Sequence, residues 1–180
     1  MRALTSEPSA ADSRRPVPGR LVSINISAGG VPKRSVREAR VTASGIEGDR
    51  QRFWYHGGRD RAVVLFAIEA IAALQLEGHP IDVGTTGENF TISGLDWNRV
   101  TPGAEVQIGD VRVAVTKFAA PCETITPSFV DGDIARIAQK RHPGWSRVCA
   151  RVLVEGIARI GDAVNLFPRG GSLSEPTRVN

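Results

Sequence analysis

The residue best suited to chemistry in this sequence is Cys122, in the stretch KFAAPCETI that runs from Lys117 to Ile125. It directly follows Pro121, at the end of an alternating apolar run. Because proline cannot donate a hydrogen bond to a strand ladder, we expect the thiol at the rim of a sheet. Lys117 lies close by, and a basic neighbour favours the thiolate. Cys122 is therefore either a presented thiolate or an ordinary packed cysteine.

The second cysteine, Cys149, lies in the apolar run VCARVLV, where the surrounding valines and alanine favour core packing. The three histidines are far apart and the chain has no CxxC pair, so no structural zinc site is predicted. A disulfide between the two cysteines has little support in a chain expected to be cytoplasmic.

Two glycine-flanked loops, GIEGDRQ and YHGGRDR, form the next candidate site. They carry Asp49, Arg50, His56, Arg59, Asp60 and Arg61. These loops are either polar turns or an anion pocket in which glycines let backbone N–H groups approach a phosphate. The stretches INISAGGVPK, with Lys33, and GTTGENFTISGL, with Glu88 and Asn89, leave the same alternatives open.

The composition is that of one globular domain. The hydrophobic fraction is 41% and the charged fraction 23%, and no apolar run is long enough to cross a membrane. We expect a disordered tail over 1–19, one domain over 20–168, a flexible tail over 169–180 and a cytoplasmic location, since the first residues do not form a secretory signal. The net charge is +4, but the arginines are spread along the chain, which disfavours a nucleic-acid surface.

The elements that must position these residues are mostly strands. In LVSINIS, Val22, Ile24 and Ile26 alternate with polar residues, as in a half-buried strand. Further strands are predicted over 36–43, 62–66, 105–116 with a turn at Gly109-Asp110, 147–155 and 160–166. Three-residue apolar spacing over 67–77 predicts a helix that ends at Gly78. A second helix is predicted from Asp131 or Asp133 to Arg141. We expect a mainly β (α+β) fold, a closed or partly closed barrel with about two short peripheral helices.

The order of the motifs is more specific than any one of them. GIEGDRQ, HGGRDRAV, GTTGENFTISGL, KFAAPCETI and VLVEGIARIGD follow one another as in the MOSC domain family, named for the C-terminal domain of molybdenum cofactor sulfurases, which this chain resembles. The resemblance runs from about Arg20 to Phe167 and is nearest to the small, stand-alone bacterial members. It implies a β-barrel-like fold and a cysteine that serves sulfur or molybdenum chemistry.

The resemblance also implies site residues. Cys122 matches the cysteine that ligates molybdenum in members that bind molybdenum cofactor (molybdopterin), and Asn89, beside Glu88, matches a cofactor-contacting position. Lys33, His56 and Arg59 fall in segments similar to cofactor-lining loops. Some members have a serine two residues before the cysteine, where this chain has Ala120. Other donors, Thr124 or Lys117, would then have to supply that contact.

Three functions follow for this chain. The first is a molybdenum-cofactor oxidoreductase that reduces N-hydroxylated small molecules with electrons from an external donor, since no flavin or iron–sulfur signature is present. The second is a sulfur transferase in which Cys122 carries a persulfide received from a donor protein; the family is also associated with pyridoxal phosphate. The third, of another class, is a basic β-barrel that binds nucleic acid. The sequence leaves the oligomeric state open.

Overall fold

The structure is a computed structural model that describes residues 18–50 and 58–169. Strands dominate these residues, with one α-helix, α1 (Ile68–Leu76). The strands, numbered along the chain, are β1 (Gly19–Ile26), β2 (Arg34–Val36), β3 (Glu38–Thr42), β4 (Gly45–Ile46), β5 (Val63–Ala67), β6 (Phe90–Ser93), β7 (Glu105–Ile108), β8 (Val111–Phe118), β9 (Val148–Val154), β10 (Gly156–Arg159) and β11 (Ala163–Phe167).

Seven of these strands close into a barrel. Their order is β1, β6, β5, β9, β8, β7 and β11, and β11 pairs back onto β1 through Gly19 opposite Val164. All of these pairings are antiparallel except β5 with β6, whose parallel connection is made by α1. A small sheet of β10, β3 and β4 lies outside this ring in the pairing order, and β2 pairs with β1. The predicted mainly β barrel is confirmed.

The barrel interior holds the larger of two hydrophobic clusters. Its members come from every barrel strand, and Ile24, Leu65 and Val113 are among those with no exposed surface. Burial of such side chains supplies most of the favourable free energy of folding, about 25 cal/mol for each Å² of apolar surface removed from water. The strands are therefore held as a rigid wall against which loops can be positioned.

The alternation predicted for the first strand is wrong at Val22. In β1, Leu21 is buried and Val22 is 37% exposed, because the register against β6 shifts between Leu21 and Ser23. Such a bulge turns the following side chains to the other face. Asn25 consequently lies on the face opposite Ile24, outside the barrel interior, where it is buried and its Nδ2 donates to Thr91 Oγ1 at 3.1 Å.

The helix predicted over 67–77 is confirmed as α1. It is followed by Gly78, whose φ of 91° lies in the left-handed region that glycine adopts without strain. Its buried residues Ile71 and Leu74 belong to a second hydrophobic cluster together with Ile125 and Phe129. The helix therefore supports the segment that follows Cys122.

The second predicted helix forms only short 3-10 turns, Val130–Gly132 and Ile134–Ile137. Asp131 and Gly132 both have positive φ, 55° and 67°, which an α-helix cannot accommodate. The helical segment also stops before Arg141, its predicted end. By contrast, the predicted Gly109-Asp110 turn joins β7 to β8 as expected.

The strand predicted over 36–43 is divided into β2 and β3, so Arg34–Val36 pairs with β1 while Glu38–Thr42 pairs with β10.

In the described part of the chain, no helix is long and apolar enough to cross a membrane.

Candidate functional site

A cavity of about 460 Å³ lies against the outer face of the barrel. Among apolar and glycine residues, three kinds of polar or sulfur-containing side chain line it. Its basic residues are Lys33, Arg50, Arg61, Lys117 and Arg147; its thiols are Cys122 and Cys149; its remaining polar side chains are Thr86, Asn89 and Thr124. None of the described lining residues is an aspartate or a glutamate. The cavity has the size of an ordinary cofactor pocket and a positive lining.

The floor of the cavity is made of three neighbouring strands. Cys149 in β9 lies opposite Val64 in β5 and opposite Lys117 in β8, and all three residues line the cavity. None of them belongs to the barrel's interior cluster, whereas Val148 and Ala150 do. Alternation along β9 therefore sends Cys149 out of the barrel and into the cavity.

Lys117 reaches the floor because β8 carries a bulge. Val115 pairs with Ala150 and Lys117 with Cys149, so two steps along β8 match one step along β9. Without this irregularity the period of two would place Lys117 on the same face as Val115, inside the barrel. The bulge thus turns Lys117 away from the barrel interior and into the cavity.

Cys122 lies on the loop that covers this floor. The strand β8 ends at Phe118, and Cys122 then precedes a 3-10 turn, Glu123–Ser128, in which the amide of Ile125 donates to the Cys122 carbonyl at 3.1 Å. Its Sγ lies 2.9 Å from Thr124 Oγ1. The thiol is partly exposed and lines the cavity, so the predicted presentation of Cys122 at the exit of a strand describes the structure well.

Lys33 and Asn89 meet at one carboxylate. Asp49 accepts from Lys33 Nζ in an ion pair whose side chains are 8% and 7% exposed. It also accepts from Asn89 Nδ2 and from the Ser27 amide, each at 2.8 Å. Asn89 in turn accepts from the Val64 amide at 3.0 Å through its Oδ1. Three of the four loop segments named from the sequence, INISAGGVPK, GIEGDRQ and GTTGENFTISGL, are joined here.

The other predicted site residues are placed differently. Glu88 is completely buried and binds the Gly84 amide and the Thr86 hydroxyl, at 2.5 and 2.7 Å, without lining the cavity. Arg59 is exposed and does not line the cavity, although Arg61 from the same 3-10 turn does. His56 lies outside the described residues.

Arg147 and Cys149 also line the cavity, although the sequence predicted no site role for Arg147 and core packing for Cys149. Cys149 is buried as predicted, but it belongs to neither hydrophobic cluster. Burial raises the pKa of its thiol, an effect that Arg147, Arg61 and Lys117 oppose only partly, so the group stays protonated near neutral pH. The signal was present in the sequence: in a strand, residues 147 and 149 share the face opposite Val148.

The sequence of this chain is similar to those of several known proteins. A family model for the MOSC domain matches residues 52–165. The uncharacterized protein YflK of Bacillus subtilis is 28% identical over 144 residues, which cover 78% of this chain and 64% of YflK. A protein called reductase from Gibberella moniliformis is 28% identical over 134 residues, 71% of this chain and 23% of that protein. The chain thus spans less than two thirds of the curated relatives it matches.

Solved structures show the same fold. YiiM from Geobacillus stearothermophilus superposes with a TM-score of 0.66 and 25% identity, covering 85% of this chain and 77% of YiiM. YiiM from Escherichia coli gives a TM-score of 0.61 at 23% identity and covers 84% of this chain and 69% of that one.

Proposed function

The chain belongs to the MOSC domain family, and on that premise we propose that it is a cytoplasmic, molybdenum-cofactor-binding oxidoreductase in which the Cys122 thiolate binds the metal. One observation carries the proposal: Cys122 lines a cavity of about 460 Å³ whose charged lining residues are all basic. A soft thiolate suits molybdenum, and a basic lining suits the phosphate of the pterin.

The ligand set of the cavity favours a metal that brings donors of its own. Among residues 18–50 and 58–169, no group of three or more His, Cys, Asp or Glu is placed to hold a metal ion. A bare divalent ion held by side chains alone normally needs such a group. The dithiolene sulfurs of molybdopterin would supply the missing donors, and one cysteine would complete the set.

The residues of the chain would divide the work between them. Cys122 would bind as the thiolate, with the Thr124 hydroxyl, 2.9 Å away, donating to the sulfur. Lys117 and Asn89 line the cavity at positions where they can orient the organic part of the cofactor. When bound, the molybdenum centre would supply two-electron redox chemistry.

We further propose that the substrates are small N-hydroxylated compounds, such as hydroxylamino base analogues. Their reduction breaks the N–O bond, consumes two electrons and two protons, and releases an amine and water. An external donor protein would supply the electrons. The similarity to a fungal protein named reductase supports an oxidoreductase, although this chain spans only 23% of that protein.

Metal analysis tests the proposal directly. The full chain, purified from a host that makes molybdenum cofactor, is expected to contain close to one molybdenum per chain by mass spectrometry. The variant Cys122→Ser is expected to lose the metal because it lacks the soft ligand. Cys149→Ser is the matched control, since Cys149 lines the same cavity as a protonated thiol; it should retain the metal.

Retention of molybdenum by Cys122→Ser would show that the ligand assignment is wrong. A wild-type chain without molybdenum, but with a reductant-sensitive mass increment of one sulfur atom on Cys122, would instead establish the sulfur-transfer function. Cys122 is the thiol that such a transfer would use, because it is partly exposed and lines the cavity.

A further inference from the structure

Arg147 is a buried cation whose hydrogen-bonding capacity is only partly used. It lies just before β9, faces the cavity and is 6% exposed. Its Nη1 donates to the Thr86 carbonyl, and its Nη2 reaches the Ala120 carbonyl only at 3.5 Å. Its Nε is buried and has no hydrogen-bond partner. The Nε–Nη2 edge, which is the edge that binds oxyanions in a bidentate manner, is therefore almost unused.

No direct ion pair compensates this charge among the described residues. Burial lowers the pKa of Arg147, while Glu88 acts in the opposite direction; Glu88 is joined to it only through Thr86, which binds both groups. An arginine keeps its proton even so, because its ordinary pKa lies far above neutral pH. A buried guanidinium without an ion pair is stabilised when an anion binds it, and Arg147 lines the cavity through which an anion can approach.

Lys33, the cation expected in the cofactor-lining loop, is in the opposite situation. Its ammonium group is paired with Asp49, and Asp49 is itself held by the amides of Ser27 and Asn89. Both side chains of the pair are nearly buried, and the carboxylate already neutralises the ammonium charge, so Lys33 would attract an anionic ligand only weakly. Two cations of the same cavity therefore differ in their availability.

We propose that the Nε–Nη2 edge of Arg147, assisted by Lys117, binds a phosphate monoester group of the cavity's ligand, and that the Lys33–Asp49 pair has a structural role. Lys117 fits this assignment because it lies opposite Cys149 on the cavity floor, beside the strand that Arg147 precedes. The proposal rests on the proposed function only in so far as the phosphate belongs to a cofactor. A phosphorylated substrate would use the same two side chains.

The test measures binding of inorganic phosphate to the metal-free, full-length chain by isothermal titration calorimetry. Arg147→Gln is expected to weaken phosphate binding about tenfold to a hundredfold, since it removes a charge-assisted, bidentate contact with the phosphate. Arg147→Lys should fall between the two, because a lysine keeps the charge and loses the bidentate edge. Arg40→Gln is the matched control, because it removes the same charge from an exposed side chain outside the cavity, and its affinity should stay within about twofold of wild type.

Lys117→Gln keeps the test decisive if Arg147→Gln does not fold. This substitution removes the charge of a partly buried lysine on the cavity floor and is expected to weaken phosphate binding about threefold to tenfold. The assignment is overturned if wild type does not bind phosphate, if a folded Arg147→Gln binds it normally, if Lys117→Gln has no effect, or if Arg40→Gln shows an equal loss.

Molybdenum-loaded protein distinguishes the two sources of the phosphate. If loading abolishes binding of inorganic phosphate, the group belongs to the cofactor; if the loaded protein still binds phosphate at Arg147, it belongs to the substrate. Molybdenum content is measured on the same samples. A chain that never contains molybdenum but binds phosphate through Arg147 would contradict the proposed function and keep this inference.

Discussion

Asp49 is the acceptor that joins three parts of the chain near the cavity. Its carboxylate binds Lys33, Asn89 and the Ser27 amide while remaining only 7% exposed. The substitution Asp49→Asn keeps the shape and removes the charge, so the nearly buried ammonium of Lys33 is left unpaired. We expect the free energy of unfolding, measured in urea, to fall by about 3–5 kcal/mol.

An exposed carboxylate provides the comparison for this prediction. Asp60 pairs with Arg151 at 2.6 Å, and the two side chains are 63% and 51% exposed. Because water screens such a pair, Asp60→Asn should cost less than about 1 kcal/mol in the same assay. Equal losses in the two variants would mean that the Lys33–Asp49 pair does not hold the loops together.

The sequence predicts the residues of the cavity best where a motif carries them. Cys122, Asn89 and Lys33 lie in the cavity wall as expected. Lys117 is also a predicted site residue, yet its side chain reaches the cavity because of a bulge in β8 that the local sequence pattern does not predict. Arg147 was overlooked because its burial depends on Thr86 and Ala120, both distant in sequence. Side-chain type can be read from a motif, whereas such long-range partners cannot.

At the scale of elements, α1 is fastened to the segment that follows Cys122. Just beyond the helix, Glu77 receives two hydrogen bonds from Arg136, at 2.5 and 2.7 Å. The Arg136 guanidinium also lies 3.8 Å from the centre of the Trp145 ring. These contacts add a polar clamp to the hydrophobic cluster shared by Ile71 and Ile125. The helix therefore fixes the loop that presents the thiol.

This clamp should make stability sensitive to acid. The hydrogen bonds from Arg136 lower the pKa of Glu77, so the unfolded chain binds the proton more readily than the folded one. The contribution of Glu77 to the free energy of unfolding is therefore fully present above the ordinary glutamate pKa of about 4.3. It is lost as the pH falls through the lower pKa that Glu77 has in the folded chain. In Glu77→Gln we expect a Tm about 2–4 °C lower at pH 7 and a flatter decline between about pH 5 and pH 3.

The melting curves of Glu38→Gln provide the control. Glu38 pairs with Arg159 at 3.2 Å, and both side chains are more than half exposed. Its pH profile should follow that of wild type. If Glu77→Gln loses stability on acidification as steeply as wild type does, Glu77 is not the group responsible.

Element boundaries could be predicted only where local chemistry decides them. Gly78 and the Gly109-Asp110 turn end their elements as expected, since the required backbone conformations suit those residues. The predicted helix after Asp131 had the right apolar spacing, but Asp131 adopts a φ of 55° and the segment becomes 3-10 turns packed through Ile137. Tertiary packing overrode the local pattern there.

For the molecule as a whole, the joint between β1 and β11 is the shortest seam of the barrel. Its pairing covers Gly19 and Arg20 opposite Val164 and Ala163, whereas β8 and β9 pair along most of their length. Short pairings with few buried contacts open at lower free energy than the core of a fold. In native-state hydrogen exchange, we expect the seam amides of Leu21 and Gly161 to exchange before the amide of Val152.

Equal protection of the seam and of β9 would indicate that the barrel opens only as one unit. The hydrogen bonds to be compared are Leu21 N to Asp162 O at 2.9 Å and Gly161 N to Leu21 O at 2.8 Å. Urea dependence of the exchange rates separates local opening, which exposes little surface, from global unfolding.

Closure by the first and last strands also means that the barrel has no privileged starting point. Gly19 and Val164 are neighbours in space, so the two ends of the ring could be tied together and the chain cut elsewhere. The Gly109-Asp110 turn is a suitable cut, because it joins β7 to β8 away from the cavity floor. A gene rearranged in this way would encode Lys117, Cys122 and Cys149 in the first third of the protein and Lys33 near its middle, and the same cavity would be rebuilt from the reordered segments.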